Sequence, residues 1–181
     1  MLGRAARVIV VGATGVGKST FARRLAARLD SDFVKLDALF WDAKWTPASP
    51  EVFRARVDAA TAGPAWVAAG NYGRVRDLLW PRATAIVYAL PLVFWGLTAR
   101  TLRRAVTREV LWNGNRENLW QHGKLWSEDS LFYWLFKTYW RYRREFPAHF
   151  AEPAHAHIQV IHLRSRRKTE AWLASVDRPR G

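Results

Sequence analysis

One short stretch constrains this chain more than any other: Gly12-Ala13-Thr14-Gly15-Val16-Gly17-Lys18-Ser19-Thr20. Its spacing is G-x-x-x-x-G-K-S. Glycines open backbone conformations closed to other residues, so successive N–H groups can turn inward onto a phosphate. A helix starting near Gly17 adds the positive end of its dipole to the same anion. Lys18 then reaches the β- and γ-phosphates, and the Ser19 hydroxyl is placed to ligate Mg²⁺. The flanks agree. Arg7-Val8-Ile9-Val10-Val11 is the β-branched run of a buried parallel strand. From Thr20 to Leu29, apolar Phe21, Leu25, Ala26 and Leu29 fall at helical spacing. Strand, loop and helix in that order is the context a phosphate-binding loop requires, and a glycine turn with a chance Lys would not need it. The stretch reads as a nucleotide site, with ATP and Mg²⁺ the expected cofactors.

Further along, Asp32-Phe33-Val34-Lys35-Leu36-Asp37 reads as a second strand ending on a carboxylate. Ligands of open α/β sheets bind beyond the carboxyl ends of the strands, so Asp37 falls on the edge that carries the phosphate loop. A turn or N-cap Asp is the plainer reading of the same residue. Asp42 sits nearby and is expected to face solvent. A helix begins at Ser49-Pro50 and stops at Gly63-Pro64. Ala65-Trp66-Val67-Ala68-Ala69 is a third strand, running into Gly70-Asn71-Tyr72-Gly73 and then Arg74 and Arg76. Many P-loop ATPases place a metal-binding carboxylate where Gly70-Asn71 stands, which leaves Asp37 as the nearest acid for a metal. Arg74 and Arg76 are placed either to hold an anionic acceptor or to form a solvated face.

Thr84 to Leu90 is a fourth strand, closed by Pro91, and a helical run follows from Val93 to Val110. Spacings of three and four put Arg100, Arg103 or Arg104, and Arg108 on one face, a row of like charges that suits a visiting anion or a solvated stripe. Residues 116 to 127 are irregular and polar-aromatic. Glu128 to Phe150 reads as a long aromatic helix with a basic surface, its rings belonging to the core, with Pro147 and Pro153 closing the region. His157 to Leu163 is a fifth strand, and Thr169 to Val176 a last helix. The His residues show no metal-ligand spacing, which argues against zinc.

At 181 residues the chain is the size of one domain, expected to span 1–181 with a lid or helical insertion over about 100–150. There is no Cys, so disulfides and thiolate metal sites are excluded. The N-terminus passes at once into the first strand and no apolar run is long enough to span a bilayer, so the cytoplasm is the expected compartment. The net charge of +14 comes mostly from Arg. It fits a polyphosphate substrate, nucleic acid or acidic lipid, and equally the coding habit of a GC-rich genome.

β runs alternating with helices, the first feeding the phosphate loop, imply a three-layer α/β P-loop NTPase domain with a parallel sheet. Gly12 to Thr20, Leu36-Asp37-Ala38-Leu39-Phe40-Trp41 with Trp45, Trp66 to Gly73, and Arg100-Thr101-Leu102-Arg103-Arg104 together resemble one branch of the adenylate-kinase-related proteins. That branch is often labelled DNA topology modulation (FlaR-type) protein. The resemblance implies a nucleoside-monophosphate-kinase-like fold with five strands in the order 2-3-1-4-5. It implies a lid entered by Arg100, Arg103 and Arg104, which would meet the transferred phosphate. Arg74 or Arg76 would stand where related kinases hold the acceptor, and Arg164 to Arg166 would border the adenine. Adenylate kinases lack a carboxylate in the role of Asp37, whereas shikimate- and gluconate-type kinases have one.

Two functions fit. One is transfer of the ATP γ-phosphoryl to a nucleotide or hydroxyl compound: Lys18, Ser19 and the lid arginines neutralise charge, and Asp37 serves as base or as metal support. The alternative is an ATP-dependent nucleic-acid protein or polynucleotide kinase, its basic aromatic second half gripping a strand. The arginine row beside a phosphate loop favours the first.

Overall fold

The computed structural model describes residues 2–3, 5–12, 17–89 and 131–176, with backbone only for Ala89 and 131–140. The strands are β1 (Arg7–Gly12), β2 (Asp32–Lys35), β3 (Trp66–Ala69), β4 (Ala85–Ala89) and β5 (Gln159–Leu163). All pair in parallel in the order β2-β3-β1-β4-β5, the order the resemblance implied. The helices are α1 (Lys18–Leu29), α2 (Leu36–Phe40), α3 (Pro50–Ala60), α4 (Arg76–Leu79), α5 (Leu131–Phe150) and α6 (Arg166–Ser175).

The β-branched run of β1 is explained by its central place, where it must be apolar on both faces. Alternate residues separate cleanly. Ile9 and Val11 join Trp66, Ala68, Ile86 and Tyr88 beneath α3, α4 and α5, represented by Phe53, Val57, Leu79, Tyr142 and Phe146. Val8 and Val10 join Val67, Ala69 and Val87 beneath α1 and α6, through Phe21, Leu25, Leu29 and Leu173. Helices on both faces of one sheet make the three layers expected. The aromatic spacing of α5 packs inward where side chains are described: Tyr142 and Phe146 are buried, and the Tyr88 hydroxyl donates to the Tyr142 carbonyl at 2.9 Å.

Some expected boundaries move. β2 ends at Lys35, and Leu36 and Asp37 form the first turn of α2 instead of extending the strand. The end of α5 does not: it runs to Phe150 as expected, with Pro147 inside it. The last helix starts earlier, at Arg166, because the Ser165 side chain caps it by accepting the Lys168 N–H at 3.2 Å. Among the described residues no helix is long and apolar enough to cross a membrane.

Candidate functional site

The nucleotide side is built where β1 hands over to α1. Gly17 caps that helix in the left-handed region, at φ 89°, a conformation that costs glycine little. Gly17 brings no capping side chain to α1 and no acidic residue lies in its first turn, so Lys18, Ser19 and Thr20 open the helix at the positive end of its dipole. An anion suits that end. Gly12 closes β1, while Ala13, Thr14, Gly15 and Val16 lie outside the described residues.

Asn71 holds the start of this loop. Its Oδ1 accepts the Gly12 N–H at 3.1 Å, and its Nδ2 donates to the Gly12 carbonyl at 2.6 Å. The side chain after β3, where a metal carboxylate is common, is therefore an amide clamped to the backbone. Gly70 precedes it at φ +153°, and a Cβ there would stand 2.9 Å from the Cβ of Leu36. That close approach brings the start of α2, and with it Asp37, against the end of β3. Nothing in the sequence pattern announced the Asn71 clamp; only the parallel β1–β3 register brings the two ends together.

Asp37 sits partly buried in the first turn of α2, and the Tyr72 hydroxyl donates to its Oδ1 at 2.7 Å. Burial, then the nearby Asp37 carboxylate, push the Tyr72 phenol well above its ordinary range, while Trp41 pulls the other way by hydrogen-bonding the same hydroxyl. Tyr72 therefore stays protonated and keeps donating. Lys18 is partly buried as a residue, but its amine end is desolvated. Burial lowers that ammonium to about 8, against the pull of the Asp37 carboxylate. Asp37 thus lies near both Lys18 and Tyr72. Ser19 follows Lys18 on α1, partly exposed.

An aromatic cluster extends from Tyr72, the residue that donates to that carboxylate. Phe40 meets Trp41, Phe53 and Tyr72 at centroid distances of 4.9, 5.1 and 5.0 Å, and Trp41 meets Trp45 at 5.8 Å. The loop that carries the tryptophans folds back on itself: the Asp42 N–H donates to the Thr46 carbonyl at 2.8 Å and Ala48 to Phe40 at 2.8 Å. Asp42, expected to face solvent, keeps 44% of its side chain exposed and pairs with Arg56 at 2.9 Å, and Arg56 also donates to the Leu39 carbonyl. That pairing ties the loop to α3.

Arg74 and Arg76 part company. Arg74 is exposed, and its carbonyl accepts from Arg54, which also forks onto Asp77 at 2.9 and 2.8 Å. Arg76 is partly buried and lines a small cleft with Leu36, Asn71, Tyr72, Trp80 and Phe146. Its guanidinium lies 5.1 Å over the Trp80 ring and touches His149. Arg100, Arg103 and Arg104, together with most of the expected insertion, lie outside the described residues.

The donor set fits a magnesium nucleotide. Magnesium takes hard oxygen ligands and keeps several waters, so one hydroxyl and one nearby carboxylate suffice beside the phosphates. Among the described residues no cluster of three or more His, Asp or Glu offers a self-sufficient metal cage.

No family model and no curated protein matches the chain. Solved structures do. A gluconokinase from Sinorhizobium meliloti 1021 aligns over 95% of this chain and 93% of its own, at 17% identity and a TM-score of 0.50. A shikimate kinase from Bacteroides thetaiotaomicron aligns over 93% and 94%, at 16% identity and TM-score 0.47. A sugar kinase from Janibacter sp. HTCC2649 aligns over 96% and 95%, at 16% identity and 0.45. At such identities the likeness speaks to architecture, and the architecture is the kinase-type P-loop fold.

Proposed function

We propose that this protein is an ATP-dependent phosphotransferase acting on a small hydroxyl-bearing acceptor. The observation that carries the proposal is the carboxylate of Asp37, held by Tyr72 at 2.7 Å beside the phosphate-loop lysine. Phosphoryl transfer is mostly positioning and charge neutralisation, and a hydroxyl acceptor adds the need for a group to take its proton. Bound Mg-ATP would supply the phosphoryl group and the metal charge. Gly12 to Thr20 would hold its phosphates, with Lys18 on the β and γ oxygens and Ser19 on the metal. Asp37 takes the proton from the acceptor oxygen, and with a phosphate acceptor it would support the metal through water instead. The walls of Phe40, Trp41, Trp45 and Tyr72 exclude water around that oxygen. Arg76, and Arg74 at the rim, hold an anionic part of the acceptor. Arg100, Arg103 and Arg104 meet the transferred phosphate in this reading, on the strength of the arginine row in the sequence.

The structural match at TM-score 0.50 is a gluconokinase, which makes sugar acids the first acceptors to try. The Asp37-x-x-x-Trp41 and Gly70-Asn71-x-Gly73 pieces support the FlaR-type branch as the finer placement. A screen of phosphate transfer from ATP to sugar acids, shikimate, nucleoside monophosphates and oligonucleotide 5′ ends tests the reading. Transfer to a small hydroxyl compound is expected. Transfer to oligonucleotide ends alone would replace it with the polynucleotide kinase that the +14 charge favours.

A further inference from the structure

Arg76 ends on an imidazole rather than a carboxylate. Its Nη1 meets Nε2 of His149, near the end of α5, while Nδ1 of the same ring faces Glu152 Oε1 at 2.6 Å. The two contacts together fix the state of the ring. A guanidinium has only protons to offer, so Nε2 must present its lone pair; a carboxylate has only lone pairs, so Nδ1 must carry the proton. The ring is then neutral, with one tautomer. A second proton on Nε2 would set N–H against N–H and cation against cation, and the contact with Arg76 would be lost.

The surroundings hold this arrangement in place. His155 donates from Nδ1 to the His149 carbonyl at 2.7 Å and lies 3.5 Å from Glu152 Oε2. The Trp80 ring carries Arg76 on its face, with His149 and His155 edge-on at 5.9 and 4.6 Å. Among the described residues, the charged and titratable groups in contact with His149 are Arg76 from α4, and Glu152 and His155 from the turn that follows α5. The His149 hydrogen bond is the main reason the Glu152 carboxyl stays below its usual range.

We propose that His149 is a positioning residue for Arg76: as the neutral Nδ1–H tautomer it accepts from the guanidinium and anchors it at the cleft wall. The proposal rests on the reading of Arg76 as an anion-holding residue of the acceptor side. It joins that side to α5, the helix at the end of the expected insertion.

Nitrogen-15 NMR of histidine-labelled protein reads the tautomer directly, and the chain has only 5 His to assign. Near neutral to mildly alkaline pH, His149 should show the Nδ1–H pattern, and Arg76→Gln should abolish that preference. An Nε2–H tautomer, or a ring unaffected by Arg76→Gln, would overturn the proposal. The functional arm uses inorganic phosphate as the probe anion, titrated with a non-hydrolysable ATP analogue and Mg²⁺ filling the phosphate loop. Removing one ordered charged contact should weaken phosphate binding roughly tenfold in His149→Ala. His149→Gln, which keeps an acceptor for Arg76, should recover most of it. Equal phosphate affinity in wild type, His149→Ala and Arg76→Gln would sink the positioning role. Failure of the ATP analogue to bind would instead sink the phosphotransferase reading, leaving the tautomer result to stand or fall alone.

Discussion

The two halves of the candidate site are made in different ways. The nucleotide half is local and largely backbone: β1, a loop and the first turn of α1, all inside Arg7 to Thr20. The acceptor half is assembled from side chains far apart in sequence, with Asp37 from α2, Trp41 and Trp45 from a folded-back loop, Tyr72 and Arg76 after β3, and His149 from α5. A backbone cradle tolerates change in every side chain but a few. A side-chain cradle is rewritten by single substitutions. In the proposed function the first half would keep one chemistry, and the second would set the acceptor.

The largest effect should come from the single side chain on which the backbone half depends. Lys18→Ala is expected to reduce turnover below detection while the far-ultraviolet spectrum and cooperative unfolding persist. Retained turnover would dismiss the loop as the working site. The same residue carries a pH signature. With its ammonium lowered to about 8, Lys18 is mostly neutral one unit above that, yet a bound phosphate needs it charged. Affinity for Mg-ATP should fall as pH rises through 8, and binding near pH 9 should take up a proton, visible as buffer-dependent heats in calorimetry. Lys18→Arg should lose that uptake.

Asp37→Asn tests the other half. As a base, it should cost roughly two to four orders of magnitude in kcat, with ATP affinity little changed. If the carboxylate only supports the metal, raised Mg²⁺ should rescue much of the loss. Wild-type rates at low Mg²⁺ would remove Asp37 from the chemistry.

Tyr72→Phe should be milder. The hydroxyl donates one hydrogen bond to a charged group, worth about 1.5–3 kcal/mol in general, and shares another with Trp41, while the ring still packs between Phe40 and Phe53. The expected result is a kcat lowered by about tenfold or somewhat more, with a modestly lower melting temperature and unchanged ATP affinity. A variant that loses stability and not rate would make Tyr72 a core residue with an incidental hydroxyl.

The contrast between the halves also decides what could be read before any fold was known. A backbone cradle needs fixed residues at fixed spacing, so the loop, strand β1 and helix α1 were legible at once. The β-branched run of β1 announced a buried parallel strand, and its burial against the cores on both faces bears that out. Asp37 was legible only as an edge residue. Its hydrogen bond to Tyr72 spans 35 positions and depends on Gly70 letting two strand ends nearly touch, which no spacing rule encodes. Asp42 was legible as solvent-facing, but its partner Arg56, 14 positions on in α3, was not. His149 showed no pattern at all, since a lone imidazole acquires meaning only from the two groups at its nitrogens.

Asn71 gives the smallest expected effect, and it bears on both halves, because it belongs to the β3 end yet acts on the phosphate loop. Asn71→Ala removes two hydrogen bonds to Gly12 and leaves that peptide half-satisfied in a partly buried place. At about 0.5–1.5 kcal/mol for each, the loss should appear as a modestly lower melting temperature and an ATP affinity weaker by a few-fold to about tenfold. At saturating ATP, kcat should barely move. Asn71→Asp separates this clamp from a hidden metal role. A carboxylate keeps the acceptor for the Gly12 N–H but turns the donor into an oxygen facing the Gly12 carbonyl, so the clamp is opposed as well as broken. Asp should therefore be worse than Ala, at any Mg²⁺ concentration. Were Asn71→Asp instead to bind Mg-ATP more tightly than wild type, the position would be a metal site waiting for its carboxylate, and the division between a backbone half and a side-chain half would fail at the residue that joins them.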